Sequence, residues 1–245
     1  MADGFVGSKF FSWLINNYPS DCCTVVVMGK NDIFNLANEY SVKTIVYDNN
    51  QQLFRDLKKS LVTYDFGLLC WWPKIIPREI LNITRRGFVN THPSYLPFNR
   101  GKHPSFWSIV EDTKFGVSLH KVLPEVDAGD LIAQHELRSD WEDTGGTLYN
   151  RSLDAMFDLL VDTYPDLRNG RLNSIPQNNE DMSFHLASEL LEKQNINLDQ
   201  PTTARDLLNL LRAKTSDGHM PCYFEDNGVK YYVNIKIEKC HTMNS

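Results

Sequence analysis

Between Thr24 and Thr91 the chain alternates short apolar runs with longer amphipathic segments, and this alternation constrains its fold more than any other feature. The runs Thr24–Met28, Thr44–Tyr47, Phe66–Trp71 and Phe88–Thr91 read as buried strands. Between them, Asp32–Tyr40, Gln51–Ser60 and Arg78–Ile83 read as helices, with Pro77 as an early helical residue of the last. Strands separated by helices cannot pair through tight hairpins, so they need crossovers. That predicts an α/β fold with a doubly wound, mostly parallel sheet covered on both faces.

The two ends of the chain depart from this pattern. A helix is expected at Ser8–Tyr18 with Phe10, Phe11, Leu14 and Ile15 inward, preceded by Asp3-Gly4-Phe5-Val6-Gly7. That pentapeptide reads as a strand-to-helix turn whose strand is missing, so the expectation is a truncated chain or a sheet one strand short. Beyond it, strands are expected at Gly116–Val122 and Leu131–Leu137, and a long helix at Thr144–Pro165. The polar stretch Arg168–Asn179 reads as a linker, and short helices are expected near Met182–Lys193 and Thr203–Ala213. Asp226-Asn227-Gly228 between Cys222–Glu225 and Val229–Glu238 signals a hairpin. The expected division is a core over residues 1–170 and a smaller region of short helices and a β-hairpin over 171–245.

Composition excludes several classes. The net charge of −6 argues against a broad nucleic-acid surface. No apolar run is long enough to span a bilayer and no basic-then-apolar leader precedes the first helix, so neither a membrane partner nor a signal peptide is expected. Five cysteines, odd in number and without a Cys-x-x-Cys, argue against a disulfide framework or a zinc site. The expectation is a cytoplasmic protein with no metal.

The chemistry concentrates between Gly87 and Leu137. Asn90 and His92 are two residues apart on a strand and therefore share a face. The carboxyl end of a parallel strand is where such folds bind ligands. The loop after it, Pro93 to Gly101, carries two prolines and is stiffened. Arg100 and Lys102 read either as holders of a phosphate or carboxylate or as a solvated basic pair. Glu125, Asp127 and Asp130 form an acidic turn between two strands, and a carboxylate there that reaches His92 would fix its tautomer. His120, inside an apolar strand, reads first as a structural histidine. Trp71 and Trp72 either cover the sheet end or line a slot for a flat heterocycle, with Lys74 beside it. An amide donor, an imidazole and a carboxylate together suit acyl transfer to an amine.

The block from Phe88 through Gln134 resembles the folate-dependent formyltransferases. It holds in order an Asn-x-His pair, a proline-containing loop ending in Arg100-Gly101, a Gly-Val-x-x-His strand and an Asp-x-Gly turn, with Tyr95 where that loop usually begins with leucine. Within that superfamily the chain is most similar to nucleotide-linked amino-sugar N-formyltransferases. This rests on His92–Gly101, Pro104–Trp107, Trp71–Pro77, Glu142–Tyr149 and Arg212–Thr215. The resemblance implies a Rossmann-like formyltransferase fold, with Asn90, His92 and Asp127 as the catalytic trio. The formyl donor would be 10-formyltetrahydrofolate, held by Trp72, Lys74, Ile75, Ile76, Leu123 and Asp130. The acceptor would be a dTDP-linked 4-amino-4,6-dideoxy hexose or its 3-amino isomer, met by Tyr95, Asn99, Arg100 and Lys102, in a setting such as O-antigen assembly. A homodimer through the C-terminal hairpin is also implied. The alternatives are glycinamide ribonucleotide formylation, formyl-folate hydrolysis, and a non-catalytic folate-binding scaffold favoured by the missing strand. Transfer to tRNA is disfavoured by the acidic charge and short tail.

Overall fold

The computed structural model describes residues 1–216 and 218–240. In chain order the elements are α1 (Gly4–Asn17), β1 (Thr24–Val27), α2 (Asp32–Glu39), β2 (Lys43–Val46), α3 (Asn50–Lys59), β3 (Gly67–Leu69), α4 (Arg78–Leu81) and β4 (Phe88–His92). There follow β5 (Arg100–Gly101), α5 (Pro104–Val110), β6 (Gly116–Lys121), β7 (Leu131–Glu136) and α6 (Gly145–Arg168). The chain continues with β8 (Phe184–His185), α7 (Ala187–Lys193), α8 (Ala204–Lys214), β9 (Cys222–Asp226) and β10 (Val229–Val233). Local chemistry sets several boundaries. Asn31, Asn49 and Thr203 each accept a hydrogen bond from a backbone N–H of the helix they precede, closing the amino ends of α2, α3 and α8.

The chain divides into two compact units that interleave along the sequence, one comprising residues 1–92, 117–135 and 153–177, the other 93–116, 136–152 and 178–240. The expected consecutive division at residue 170 does not have this form. In the first unit β1 pairs parallel with β2, and a four-stranded sheet runs in the order β3-β4-β6-β7. β3 and β4 are parallel, with Leu69 opposite Asn90, whereas β6 runs antiparallel to β4, with His120 opposite Asn90. The sheet is thus mixed, because the chain re-enters it at Gly116 running opposite to β4. A core of Val26, Ile45, Leu53, Leu69, Ile80 and Phe88 packs beneath the sheet.

The start of the chain corrects the sequence reading. α1 begins at Gly4, not Ser8, and Met1–Ala2 lies extended between β1 and β3. The Ala2 N–H donates to the Val26 carbonyl, the Cys70 N–H to Met1, and the Met1 ammonium to Leu68. These two residues form one rung where a full strand would stand. Pro77 is also reassigned, since it is the extended residue just ahead of α4.

In the second unit, Phe106, Trp107, Ile109, Phe115, Leu148 and Ala213 form a separate core. The predicted helix at Met182–Lys193 is broken: Phe184–His185 pairs parallel with Arg100–Gly101, and only Ala187–Lys193 is α-helical. Gly101 is required there, because a Cβ would stand 2.4 Å from the His185 carbonyl oxygen. The C-terminal hairpin forms as expected around Asn227-Gly228, whose φ values of 49° and 76° are the left-handed pair that a two-residue turn needs. β10 ends at Val233, short of the expected Glu238.

Candidate active site

β4 brings the site together. It is paired on both sides, so its backbone is fixed, and alternation places Asn90 and His92 on one face. The antiparallel partner sets His120 directly opposite Asn90 and Ser118 opposite His92. The His120 Nδ1 lies 2.8 Å from the Lys121 carbonyl oxygen, so that nitrogen carries the proton. Its Nε2 is then an acceptor, and the Asn90 amide donates to it at 3.2 Å. Ser118 is held in turn by the Gln134 amide at 2.9 Å.

Asp127 completes the group. Its Oδ2 lies 3.5 Å from His92 Nδ1, and its Oδ1 comes within 3.6 Å of His120 Nε2, a nitrogen that in this tautomer is itself an acceptor and offers the carboxylate no hydrogen. All three side chains are largely withdrawn from water, at 8% exposed for His92, 2% for His120 and 11% for Asp127. The expectation that a carboxylate from the acidic turn reaches His92 corresponds to this arrangement. Asp127 achieves it in a left-handed conformation, φ 52°, which costs free energy for a non-glycine residue and persists only if its surroundings hold it.

Those surroundings include residues that sequence reasoning leaves in a linker. The Gln177 amide donates to the carbonyls of both Asp127 and Gly129, at 2.8 and 2.7 Å. Ser174 donates to Asp130 at 3.0 Å, and Ile175 pairs with Leu131 through two backbone hydrogen bonds. A Cβ at Gly129 would fall 1.8 Å from the Lys121 carbonyl oxygen, so the turn folds tightly over β6. No signal in the sequence singles out Gln177, because its value lies in where residues 174–177 return. His120 was visible, but its contact with Asp127 depends on cross-strand register.

The remaining expected site residues fall into three sets. Trp72 meets Tyr47 edge-on at 5.4 Å, and its buried Nε1 has no hydrogen-bond acceptor among the described residues. Lys74, Ile75 and Leu123 are exposed, while Ile76 is buried in the core with Leu53 and Leu69 and supports the loop from beneath. The Asp130 carboxyl is held below its ordinary range by hydrogen bonds from Ser174 and Lys121, so it acts as a tie within the turn. In the second unit, Asn99 is buried and bonds Thr113 and Ser183, and Arg100 is buried with its guanidinium on Asn179 at 3.1 Å. Both hold the loop's own framework. Tyr95 is half-buried with the Lys114 ammonium over its ring, and Lys102 is exposed. Among the described residues no cluster of His, Cys, Asp and Glu is arranged to hold a metal ion, and no helix is long and apolar enough to cross a membrane.

Residues 20–164 match the family model described as formyl transferase, and residues 189–239 match an N-formyltransferase dimerization C-terminal domain. The dTDP-4-amino-4,6-dideoxyglucose formyltransferase of Mycobacterium tuberculosis is 30% identical over 176 residues, 71% of this chain and 74% of that protein. Among solved structures, a 4-N formyltransferase from Francisella tularensis superposes with a TM-score of 0.77 at 23% identity, covering 94% of this chain and 93% of the other. An N-formyltransferase from Helicobacter canadensis, crystallised with folinic acid and dTDP-3-aminofucose, gives 0.66 at 19% identity over 86% and 77%. With 145 consecutive residues under one family model and a mycobacterial relative aligned over most of its length, this chain belongs to the formyltransferase family.

Proposed function

We propose that this protein transfers a formyl group from 10-formyltetrahydrofolate to the amine of a nucleotide-linked amino sugar, a dTDP-4-amino-4,6-dideoxyhexose or its 3-amino isomer. The observation that carries the reading is the Asp127 carboxylate set between His92 and His120, on the face that also bears Asn90. The mycobacterial relative and the ligands of the Helicobacter protein support the choice of acceptor and donor.

The donor's ring is a flat heterocycle with hydrogen-bonding edges. Trp72 fits it, since its orphaned Nε1–H offers a donor at an aromatic wall, beside Lys74 and the exposed Ile75. When bound, the folate supplies the formyl carbon. The chain's residues do the rest. Asp127 faces His92 Nδ1 and keeps the proton on that nitrogen, so Nε2 is the base that takes the proton lost by the attacking amine. Asn90 uses one amide N–H on His120 and has a second for the negative charge developing on the formyl oxygen. His120 holds the Asn90 amide in place from the opposite strand. A bond forms between the sugar nitrogen and the formyl carbon, the bond to the folate nitrogen breaks, and the proton held at His92 and Asp127 passes to that leaving nitrogen. The C-terminal hairpin, with Val229, Tyr231 and Tyr232 exposed, carries a homodimer contact.

The test is mass spectrometry of the purified protein incubated with 10-formyltetrahydrofolate and a panel of dTDP- and UDP-linked 3- and 4-amino sugars plus glycinamide ribonucleotide. A mass gain of one formyl group on an amino sugar supports the proposal. Formylation of glycinamide ribonucleotide alone, or of none, overturns it.

A further inference from the structure

The second unit holds a cleft that the proposed formyl transfer does not use. Its volume is about 430 Å³, and its walls come from the end of α5, the segment after β7, and α8. α8 contributes Arg205, Asn209 and Arg212, spaced by four and three positions and therefore on one face of the helix. Trp141 lies beneath two of them, with the Arg205 and Arg212 guanidiniums 5.1 and 4.9 Å from its ring. Asn209 is 5% exposed and Arg212 8%, yet neither has all its donors filled. The Arg212 Nε donates to Asn209 Oδ1 at 3.0 Å, and one terminal nitrogen donates to the Asp140 and Asp143 carbonyls at 2.8 and 2.9 Å. The other terminal nitrogen of Arg212 and the amide nitrogen of Asn209 have no acceptor among the described residues. Withdrawn donors without partners are costly, so a cleft that ends on them calls for a ligand rich in acceptors.

The charges around the cleft select that ligand. Lys114, Arg138, Arg205 and Arg212 line it together with Asp112, Glu136 and Asp140. Lys114 pairs with Glu136 at 3.5 Å, and Asp140 is taken by Lys239 at 2.7 Å. Asp143, which also faces Arg212, is taken by Arg151 at 3.0 Å. That leaves Arg138, Arg205 and Arg212 against Asp112 alone, three cations to one carboxylate. Guanidinium forks bind phosphate oxygens two at a time, and a phosphate monoester carries close to two negative charges at neutral pH. A bare phosphate would fill only part of the cleft, whose volume is that of a site for a small organic molecule. We propose that this cleft is a binding site for a phosphate monoester of a small polar molecule, a sugar or a nucleoside. Its phosphate meets the buried Asn209 and Arg212, and the exposed Arg138 and Arg205 close over it from the rim.

The test is titration calorimetry of the 245-residue chain with inorganic phosphate, glucose 1-phosphate, thymidine monophosphate, glucose and thymidine. At least one monoester should bind more tightly than inorganic phosphate, and the tighter of the two identifies what lies beyond the phosphate. Asn209→Asp keeps the acceptor for Arg212 and adds a negative charge where the phosphate would lie, so it should abolish this binding. Arg205→Gln, at an exposed position, should weaken it about tenfold. Where Asn209→Asp lowers the thermal midpoint by more than a few degrees, Arg205→Gln combined with Arg138→Gln decides instead, with a loss of about a hundredfold. Monoester binding that survives these substitutions at full stoichiometry lies elsewhere and overturns the proposal. So does binding of inorganic phosphate alone, binding of glucose or thymidine as tightly as of their phosphates, or no binding of any probe. The measurement needs no folate, so its outcome is independent of whether formyl transfer is confirmed.

Discussion

β4 and β1 are both short apolar strands of the same unit, yet they are held very differently. β4 has a partner along each edge, and the turn bearing Asp127 is tied by Gln177, Ser174 and Lys121. β1 has a full partner on one edge only, and its other edge meets two residues of chain and then a cavity. The comparison separates two kinds of rigidity. The reactive constellation is fixed by cross-strand register and a clamped turn, whereas the other edge of β1 borders open space that leaves apolar side chains less well packed. Changes at β4 should therefore be read in turnover, and changes beside that edge of β1 in stability.

The largest effects sharpen that separation at its chemical end. His92→Ala should lower kcat by about 10²–10⁴, and Asn90→Ala by about 10²–10³, in a coupled formyl-transfer assay. Both should leave the thermal midpoint within a few degrees of wild type. Retention of full turnover by either variant would remove that residue from the mechanism.

Packing is the next test. Leu119 on β6 is fully buried beneath the site, and Leu14 on α1 borders the cavity. Leucine-to-alanine changes in cores cost about 2–5 kcal/mol, the cost rising with the void left behind. Leu119→Ala should fall in the upper half of that range by denaturant unfolding and Leu14→Ala at or below its lower end, since the wall beside it is already open. Equal losses would mean that the two regions are equally well packed.

Gln177→Leu tests the clamp on Asp127. It removes both donors to the turn and leaves two carbonyls without them, at a cost of about 1–3 kcal/mol. The released carboxylate would no longer hold the His92 tautomer, so kcat should fall roughly tenfold. Its pH profile should change shape with little change in KM. A fall in stability with an unaltered pH profile would reduce Gln177 to a structural residue.

Much of this was legible in the sequence for physical reasons. The strand-helix alternation gave the order of elements through β4, because each apolar run must be buried and each crossover needs a helix. Asn90 and His92 were found because the two-residue period of a strand is local information. Asn227-Gly228 located the hairpin because few other residues accept its dihedral angles. What could not be read depends on chain return. The antiparallel pairing that puts His120 opposite Asn90, the bond from Gln177 to the Asp127 turn, and the burial of Asn99 and Arg100 all arise between segments distant in sequence. Composition also misled at Arg168–Asn179, where a polar, Gly- and Pro-containing stretch resembles a passive linker but closes the site.

The smallest effect is a test of the edge of β1 by pH. The Met1 α-amino group is pushed below its ordinary value of 8.0, chiefly by burial, with Cys22 and Cys70 acting in the opposite direction. The unfolded chain therefore binds more protons at this group than the folded chain between its lowered value and 8.0. Stability should rise with pH through that window and level off above it, because the penalty for burying the charge is present at low pH and disappears once both states are neutral. Burial raises Cys22 and Cys70 to about 11 and also raises Cys23, so ionisation of these thiols in the unfolded chain lowers stability as pH approaches 9, equally in the free and the acetylated chain. Asp21, Asp65, Tyr64, Tyr164, Arg86 and Arg168 also line the cavity, and are of types whose charge is constant between about pH 6 and pH 9. Thermal midpoints measured across that range should climb for the 245-residue chain with a free Met1 amine and stay level for the same chain acetylated at Met1, relative to the shared background. A parallel climb in both would place the titration elsewhere and leave β1 no less settled than β4.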